Sequence, residues 1–277
     1  MTAVDTAVEA PTFSRSWRAA RVIPLIESAY RARLVLSPVM LAIQIFLYYR
    51  LWLAVYANAE SVGGLDVRQV VTYSTIALLI ARIRWSARGF SRDSIMNRVR
   101  DGTIIYFFLR PISARRYTVI RTLGELGYGA VWALLGFTVM LGAGAIDAPP
   151  SAGGAVVFVI SVVLGQAILF LLSQCVELTV FWFGKNAYTE RLYYFAQDLL
   201  AGVFVPLWLL PDWLFATARY SPFGSAINVP LSLYVERIPL RDAPRELLVQ
   251  LGWIAALGVL NTWVWRRASG RIEVQGG

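Results

Sequence analysis

Apolar positions in this chain gather into long runs, each near the roughly 20 residues that a helix needs to cross a bilayer. Six such spans are expected, at about Leu34 to Ala57, Val67 to Trp85, Leu123 to Ile146, Ala155 to Phe183, Leu192 to Leu210 and Leu247 to Trp265. The pattern predicts an all-α polytopic membrane protein with six transmembrane helices. The fourth run is long enough to tilt. The second is unusual, because Thr72, Tyr73, Ser74 and Thr75 put a polar patch in its first half. Such a helix sits badly against lipid and is expected to face other helices or a polar cavity.

Outside these runs the pattern changes. Residues 1–13 are small and polar, with Asp5 and Glu9, and read as a disordered tail. Residues 14–33 carry Val22, Ile23, Leu25, Ile26, Ala29 and Tyr30 on one helical face, with Arg21, Glu27 and Arg31 opposite. That is the pattern of an amphipathic helix lying in the membrane interface, started or kinked by Pro24. An ordinary helix packed on protein has the same pattern. Residues 34–277 then form a single transmembrane domain. Between the fifth and sixth spans, Pro211, Pro222, Pro230, Pro239 and Pro244 cut apolar sequence into pieces too short to cross. Broken backbone at membrane depth is tolerated where protein or a cavity covers it, so short re-entrant helices are expected there.

Composition agrees. Hydrophobic residues make up 57% of the 277 and charged ones only 16%, against about a quarter in soluble domains. The net charge is +9 and Lys185 is the one lysine. The basic residues cluster between spans, as topology requires, and no basic soluble module is present, so nucleic acid is not an expected partner. With both termini in the cytoplasm, 20 of the 26 basic residues fall on the inner side, and four, Arg219, Arg237, Arg241 and Arg245, on the outer. The expected location is the plasma membrane, with multiple passes. The first apolar run follows a basic stretch and has no small-residue cleavage site behind it, so no cleavable signal peptide is expected.

Several chemistries are excluded. There is no histidine and a single cysteine, Cys175, so a zinc site or a His-activated nucleophile cannot be built. No metal site and no cofactor are expected in the chain. Gly184-Lys185 lacks the upstream glycine and the following Ser or Thr of a phosphate-binding loop. Among the charged residues inside spans, Arg68 included, four are candidates for intramembrane chemistry: Arg50, Glu125, Glu177 and Asp198. Arg50 is either functional or snorkels to the interface. The three carboxylates form either a proton relay, as in a proton-coupled secondary transporter, or ion pairs with Arg121, Lys185 and Arg191.

The largest charge cluster lies between the second and third spans. There Ser91 to Gly102 has an N-cap serine, an early acid, late arginines and a terminal glycine, the start and stop signals of a short helix. Ile95, Met96 and Val99 give it an apolar stripe, with Arg92, Asp93 and Arg98 beside it. A short charged helix with such a stripe suits docking on another protein.

These features, Arg98-x-x-x-Gly102 followed by Phe107-Phe108-Leu109-Arg110-Pro111-Ile112-Ser113, then Phe204-Val205-Pro206-Leu207-Trp208, Ser221-Pro222-Phe223 and Val229-Pro230-Leu231, resemble the membrane subunit of a type-2 ABC exporter of the compact six-span branch. The resemblance implies a coupling helix at Arg92, Asp93, Ile95, Met96, Arg98 and Val99, followed by the family motif at Gly102, Leu109, Arg110 and Pro111. It also implies a separate ATP-binding-cassette ATPase that holds ATP and Mg, a second permease, identical or paralogous, and a surround of membrane lipid. The chain itself is then a transport subunit and not an enzyme, moving a hydrophobic or amphipathic substrate out of the cytoplasm by alternating access.

Overall fold

A computed structural model describes residues 31–58, 61, 63–84, 95–104, 106, 113–183 and 187–272. The expected tail and most of the interfacial helix lie outside these residues, as do Arg92, Asp93, Leu109, Arg110, Pro111 and Lys185. Among the described residues the fold is all helix. The helices are α1 (Arg31–Val55), α2 (Val67–Ile83), α3 (Ile95–Arg100), α4 (Ala114–Gly142), α5 (Ala152–Leu178), α6 (Val180–Phe183), α7 (Ala187–Leu200), α8 (Asp212–Arg219), α9 (Val229–Tyr234) and α10 (Ala243–Ile272).

Among the described residues, four segments are long and apolar enough to cross a membrane: Leu36–Val55, Ala114–Gly142, Ala152–Phe183 and Leu240–Gly270. They correspond to the first, third, fourth and sixth expected spans. Their outward faces are apolar, with Phe46, Leu134, Val163 and Val259 among the exposed side chains. Exposed apolar surface on that scale belongs against lipid.

The second and fifth expected spans come out shorter. Helix α2 has 17 residues, about 26 Å of rise. It starts with a capping box, in which Gln69 N donates to Asp66 Oδ1 at 2.7 Å and Asp66 N to Gln69 Oε1 at 3.1 Å. Every residue from Val70 to Ile80 is buried, between α1, α4 and α9. The run Leu192 to Leu210, expected as one span, is instead the end of α7, a turn, and a 3-10 turn at Leu207–Leu209. The break has a local cause. Gly202 takes a left-handed φ of 79°, and Val203 N donates back to the Asp198 carbonyl at 3.0 Å, which closes α7 at its C-terminus. A Cβ on Gly202 would stand 2.7 Å from the Tyr73 hydroxyl.

Helix α5 is the central element, packing along α10, α9 and α3. It is capped by Ser151, whose Oγ accepts from Gly154 N at 3.0 Å. The proline-cut connection forms α8 and then a π turn, Gly224–Asn228, that runs into α9. Pro230 has no N–H to give the Ala226 carbonyl, which explains the irregular turn. That carbonyl presses on α5, where only a glycine fits: a Cβ on Gly165 would meet Ala226 O at 2.0 Å. Residues 224–235 are all buried, so this broken helix is part of the core and not a surface loop.

Candidate coupling end and polar interior

At one end of the bundle α3 packs on its own chain. Ile95 is 1% exposed and clusters with Ala114 of α4, Leu178 of α5, Val180 of α6 and Ala268 of α10. Val99 and Ile104 pack at the edge of this cluster. The helix stops where the sequence signals a stop: Gly102 has φ 69°, and Thr103 N donates to Arg98 O at 2.8 Å. Ile95 and Val99 therefore do not form an open face, while the Met96 side chain lies outside the described ones. Ile95 anchors the short helix to the rest of the bundle, because six residues cannot hold a helix without tertiary contacts. Asn97 and Arg98 lie at the half-buried edge, while Asp101 and Gly102 are exposed.

Two of the intramembrane carboxylates meet one cation. Arg121 Nε lies 3.5 Å from Glu125 Oε1 one turn along α4, and Arg121 Nη2 lies 3.5 Å from Glu177 Oε1 on α5. Arg121 and Glu125 are almost fully buried and Glu177 largely so. The three side chains bridge α4 to α5, with Glu125 and Glu177 both paired to Arg121. Asp198 is buried near the end of α7, where Gln197 Nε2 donates to its Oδ1 at 3.5 Å. Arg50 is exposed on α1, five residues before its end.

The polar patch of α2 is turned inward, as its composition requires. Trp52 Nε1 of α1 donates to Ser74 Oγ at 2.8 Å. Tyr73 Oη donates to Asn228 Oδ1 at 3.0 Å, reaching the π turn. Asp147 N, in the loop after α4, donates to Thr72 Oγ1 at 3.1 Å. The same aspartate pairs with Arg68, and its carbonyl accepts from Tyr234 Oη at 2.7 Å. At the opposite end of α2, Arg82 Nη2 donates to Gln44 Oε1 of α1 at 2.6 Å, and Arg84, 5% exposed, donates through Nη2 to Ser173 Oγ of α5 at 2.7 Å.

One residue missed in the sequence is central here. Gln250 of α10 is fully buried and donates through Nε2 to Ser225 O at 2.7 Å and to Ser161 O at 3.1 Å. Its Oε1 accepts from Ser161 Oγ at 3.1 Å. It thus joins α10, α5 and the π turn. The signal was an amide in a largely apolar span, which also holds Asn261.

The arrangement is a helical bundle with polar contacts on its short inner segments and between the long helices α4, α5 and α10. Among the described residues no group of three His, Cys, Asp or Glu side chains is placed to hold a metal. Residues 40–276 match a family model described as ABC-2 family transporter protein. No curated protein and no solved structure matches the chain.

Proposed function

From the premise that the chain belongs to the ABC-2 transporter family, in which it is a membrane permease, we propose that it is the transmembrane subunit of an ATP-driven exporter. A match over nearly the whole chain carries this reading, and four long apolar helices support it. The cargo is a hydrophobic or amphipathic molecule moved out of the cytoplasm. A separate ATPase subunit binds ATP and Mg and switches a pair of permeases, identical or paralogous, between inward-facing and outward-facing states.

In this reading α2 and α7 complete six spans at the centre of the assembly, and α8, the π turn and α9 form a re-entrant segment. The protein lies in the plasma membrane with both termini in the cytoplasm. Helix α3 then sits at the cytoplasmic end, where the arginines concentrate, and meets the ATPase. Its anchoring through Ile95 to α4, α5 and α10 supports that role, because ATPase movement at α3 would reach three long helices at once.

The test is ATP-dependent cargo uptake into inside-out vesicles containing this chain and its ATPase. Uptake is expected to vanish when the phosphate-loop lysine of the ATPase is replaced. Uptake that persists without ATP, follows a proton gradient and is lost in Glu177→Gln or Asp198→Asn would establish a secondary transporter instead.

A further inference from the structure

A cavity of about 630 Å³ opens at the end of the bundle opposite α3. The α1–α2 loop, the first turn of α2, α8, the broken helix and the start of α10 enclose it. Its chemistry is uneven. Arg219, the last residue of α8, and Arg237, in the turn after α9, both line it. Arg237 Nη1 donates to Gly63 O at 2.6 Å, and its guanidinium lies 4.6 Å above the Trp208 ring. Arg219 lies 5.9 Å from the Phe215 ring. Glu236 and Glu246 also reach the cavity. Yet among the described residues neither arginine forms an ion pair with them.

The two cations therefore line one cavity, and neither is ion-paired to a carboxylate there. Partial burial, and then the charge of Arg219, hold the Arg237 guanidinium below the ordinary arginine range. Such a pair is relieved by an anion from outside the chain. A further donor is at hand, since the Trp208 indole N–H is buried with no partner. The backbone adds a second sign of a built site. Glu236, beside Arg237, has φ 58°, the one positive value on a non-glycine residue among those described, and strain of this kind concentrates at ligand sites.

We propose that this cavity binds a phosphate ester, the headgroup of an anionic phospholipid, between Arg219 and Arg237. Guanidinium forks match phosphate oxygens, and two of them span a phosphodiester better than a carboxylate. Lipid is the source because α8 and the residue after it present Trp213 and Tyr220, 71% and 74% exposed, the aromatic pattern of a membrane interface. The inference goes beyond the transport reading. It needs the membrane location but neither the direction of transport nor ATP coupling.

The test uses the purified full-length chain in neutral detergent and calorimetric titration with dihexanoylphosphatidylglycerol, dihexanoylphosphatidylcholine, glycerol 3-phosphate and acetate. Phosphatidylglycerol is expected to bind, with phosphatidylcholine and acetate much weaker. Arg219→Gln should weaken that binding about tenfold or more, the usual loss for a charge-assisted contact. Arg219 is exposed, so the variant should keep the wild-type melting temperature. Arg219→Lys, which keeps the charge but not the fork, should fall between. Glu246→Gln should leave phosphatidylglycerol binding equal or tighter. If glycerol 3-phosphate competes as well as the lipid, the anion site stands and its ligand is a free phosphate ester. Unchanged binding in both Arg219 variants overturns the proposal, as does preferential binding of the choline lipid that Glu246→Gln abolishes.

Discussion

Gln250 and Ser225 are 25 positions apart, and the 2.7 Å bond from the Gln250 amide to the Ser225 carbonyl fastens the π turn to α10. The π turn exists because Pro230 cannot continue the helical ladder behind it. The disrupted helix leaves carbonyls that need donors, and at membrane depth water does not supply them. Replacing Gln250 with methionine keeps the volume and removes the donors. Stability should fall by about 1–2 kcal/mol, since interhelical bonds in membranes are individually modest and this residue makes several. The measurement is a lower melting temperature in detergent. An unchanged value would show that Ser225 finds another donor.

Gly165 and Gly127 make a matched pair for close packing. Both lie within long helices, and alanine is the better helix former by about 1 kcal/mol. A Cβ at Gly165 collides with the Ala226 carbonyl at 2.0 Å, whereas one at Gly127 meets nothing within 4 Å. Gly165→Ala should therefore destabilise the protein and reduce its folded yield. Gly127→Ala should leave both unchanged or improved. Equal behaviour in fluorescence-detected gel filtration would refute the α5–π turn approach.

These contacts mark what the sequence could and could not show. Runs of apolar residues reveal long lipid-facing helices well, because hydrophobic length is itself the physical requirement. They reveal buried inner helices poorly. Helix α2 is polar in its first half because its partners are Trp52, Asn228 and the Asp147 loop rather than lipid, which pattern anticipated in kind but not in partner. The break after α7 turns on Gly202, a glycine with apolar neighbours on both sides, so a hydropathy window reads straight across it. The Ile95 stripe was legible as an apolar face. Which surface covers it depends on where α4, α5 and α10 end, and no local pattern encodes that. Arg219 and Arg237 read only as outer-side charges until the fold brought them to one cavity.

The Arg121 cluster gives a prediction with a built-in rescue. Arg121→Gln leaves Glu125 and Glu177 buried without their shared cation. Breaking a buried pair in this way typically costs about 3–5 kcal/mol. Arg121→Gln should fold poorly, while the triple variant with Glu125→Gln and Glu177→Gln should recover most of the loss, because no uncompensated charge remains. Thermal unfolding of the three-member series checks this. If the triple variant is no better than the single one, the cluster is held by something other than these ion pairs.

Topology is open to direct labelling after Cys175→Ser. Single cysteines at Ser61 and Ala152 should react with an impermeant maleimide added to intact cells, and one at Ser113 only after the cells are opened. All three positions are exposed. The expectation rests on the arginine distribution, since 20 of 26 basic residues fall on one side in the six-span arrangement. Labelling at Ser113 from outside would reverse the orientation, and with it the placement of α3.

The docking of α3 on the ATPase calls for substitutions chosen with its anchoring in view. Ile95 is 1% exposed inside the permease, so Ile95→Asp would bury an unpaired charge against Leu178 and Ala268. That change should unfold the cluster and lower the melting temperature of the permease alone. Loss of the ATPase in such a variant would say nothing about docking. Charges away from that anchor are the proper place to look, and Arg92 and Asp93 stand just before Ile95 in sequence. Arg92→Glu combined with Asp93→Arg keeps the net charge of the loop and reverses its local pattern. The permease should still insert with an unchanged melting temperature, since the exchange keeps both charges and leaves the Ile95 anchor untouched. Co-purification of the ATPase should fall, and transport with it, because charge complementarity governs register and partner choice at an interface. Ile95→Val, which trims one methyl group from the anchor, supplies the contrast. It should cost the permease about 0.5–1.5 kcal/mol and leave ATPase binding intact. If the charge swap binds ATPase and transports at wild-type levels while Ile95→Val loses both, α3 acts through its buried face, as a brace for the ends of α4, α5 and α10, and not as a docking element.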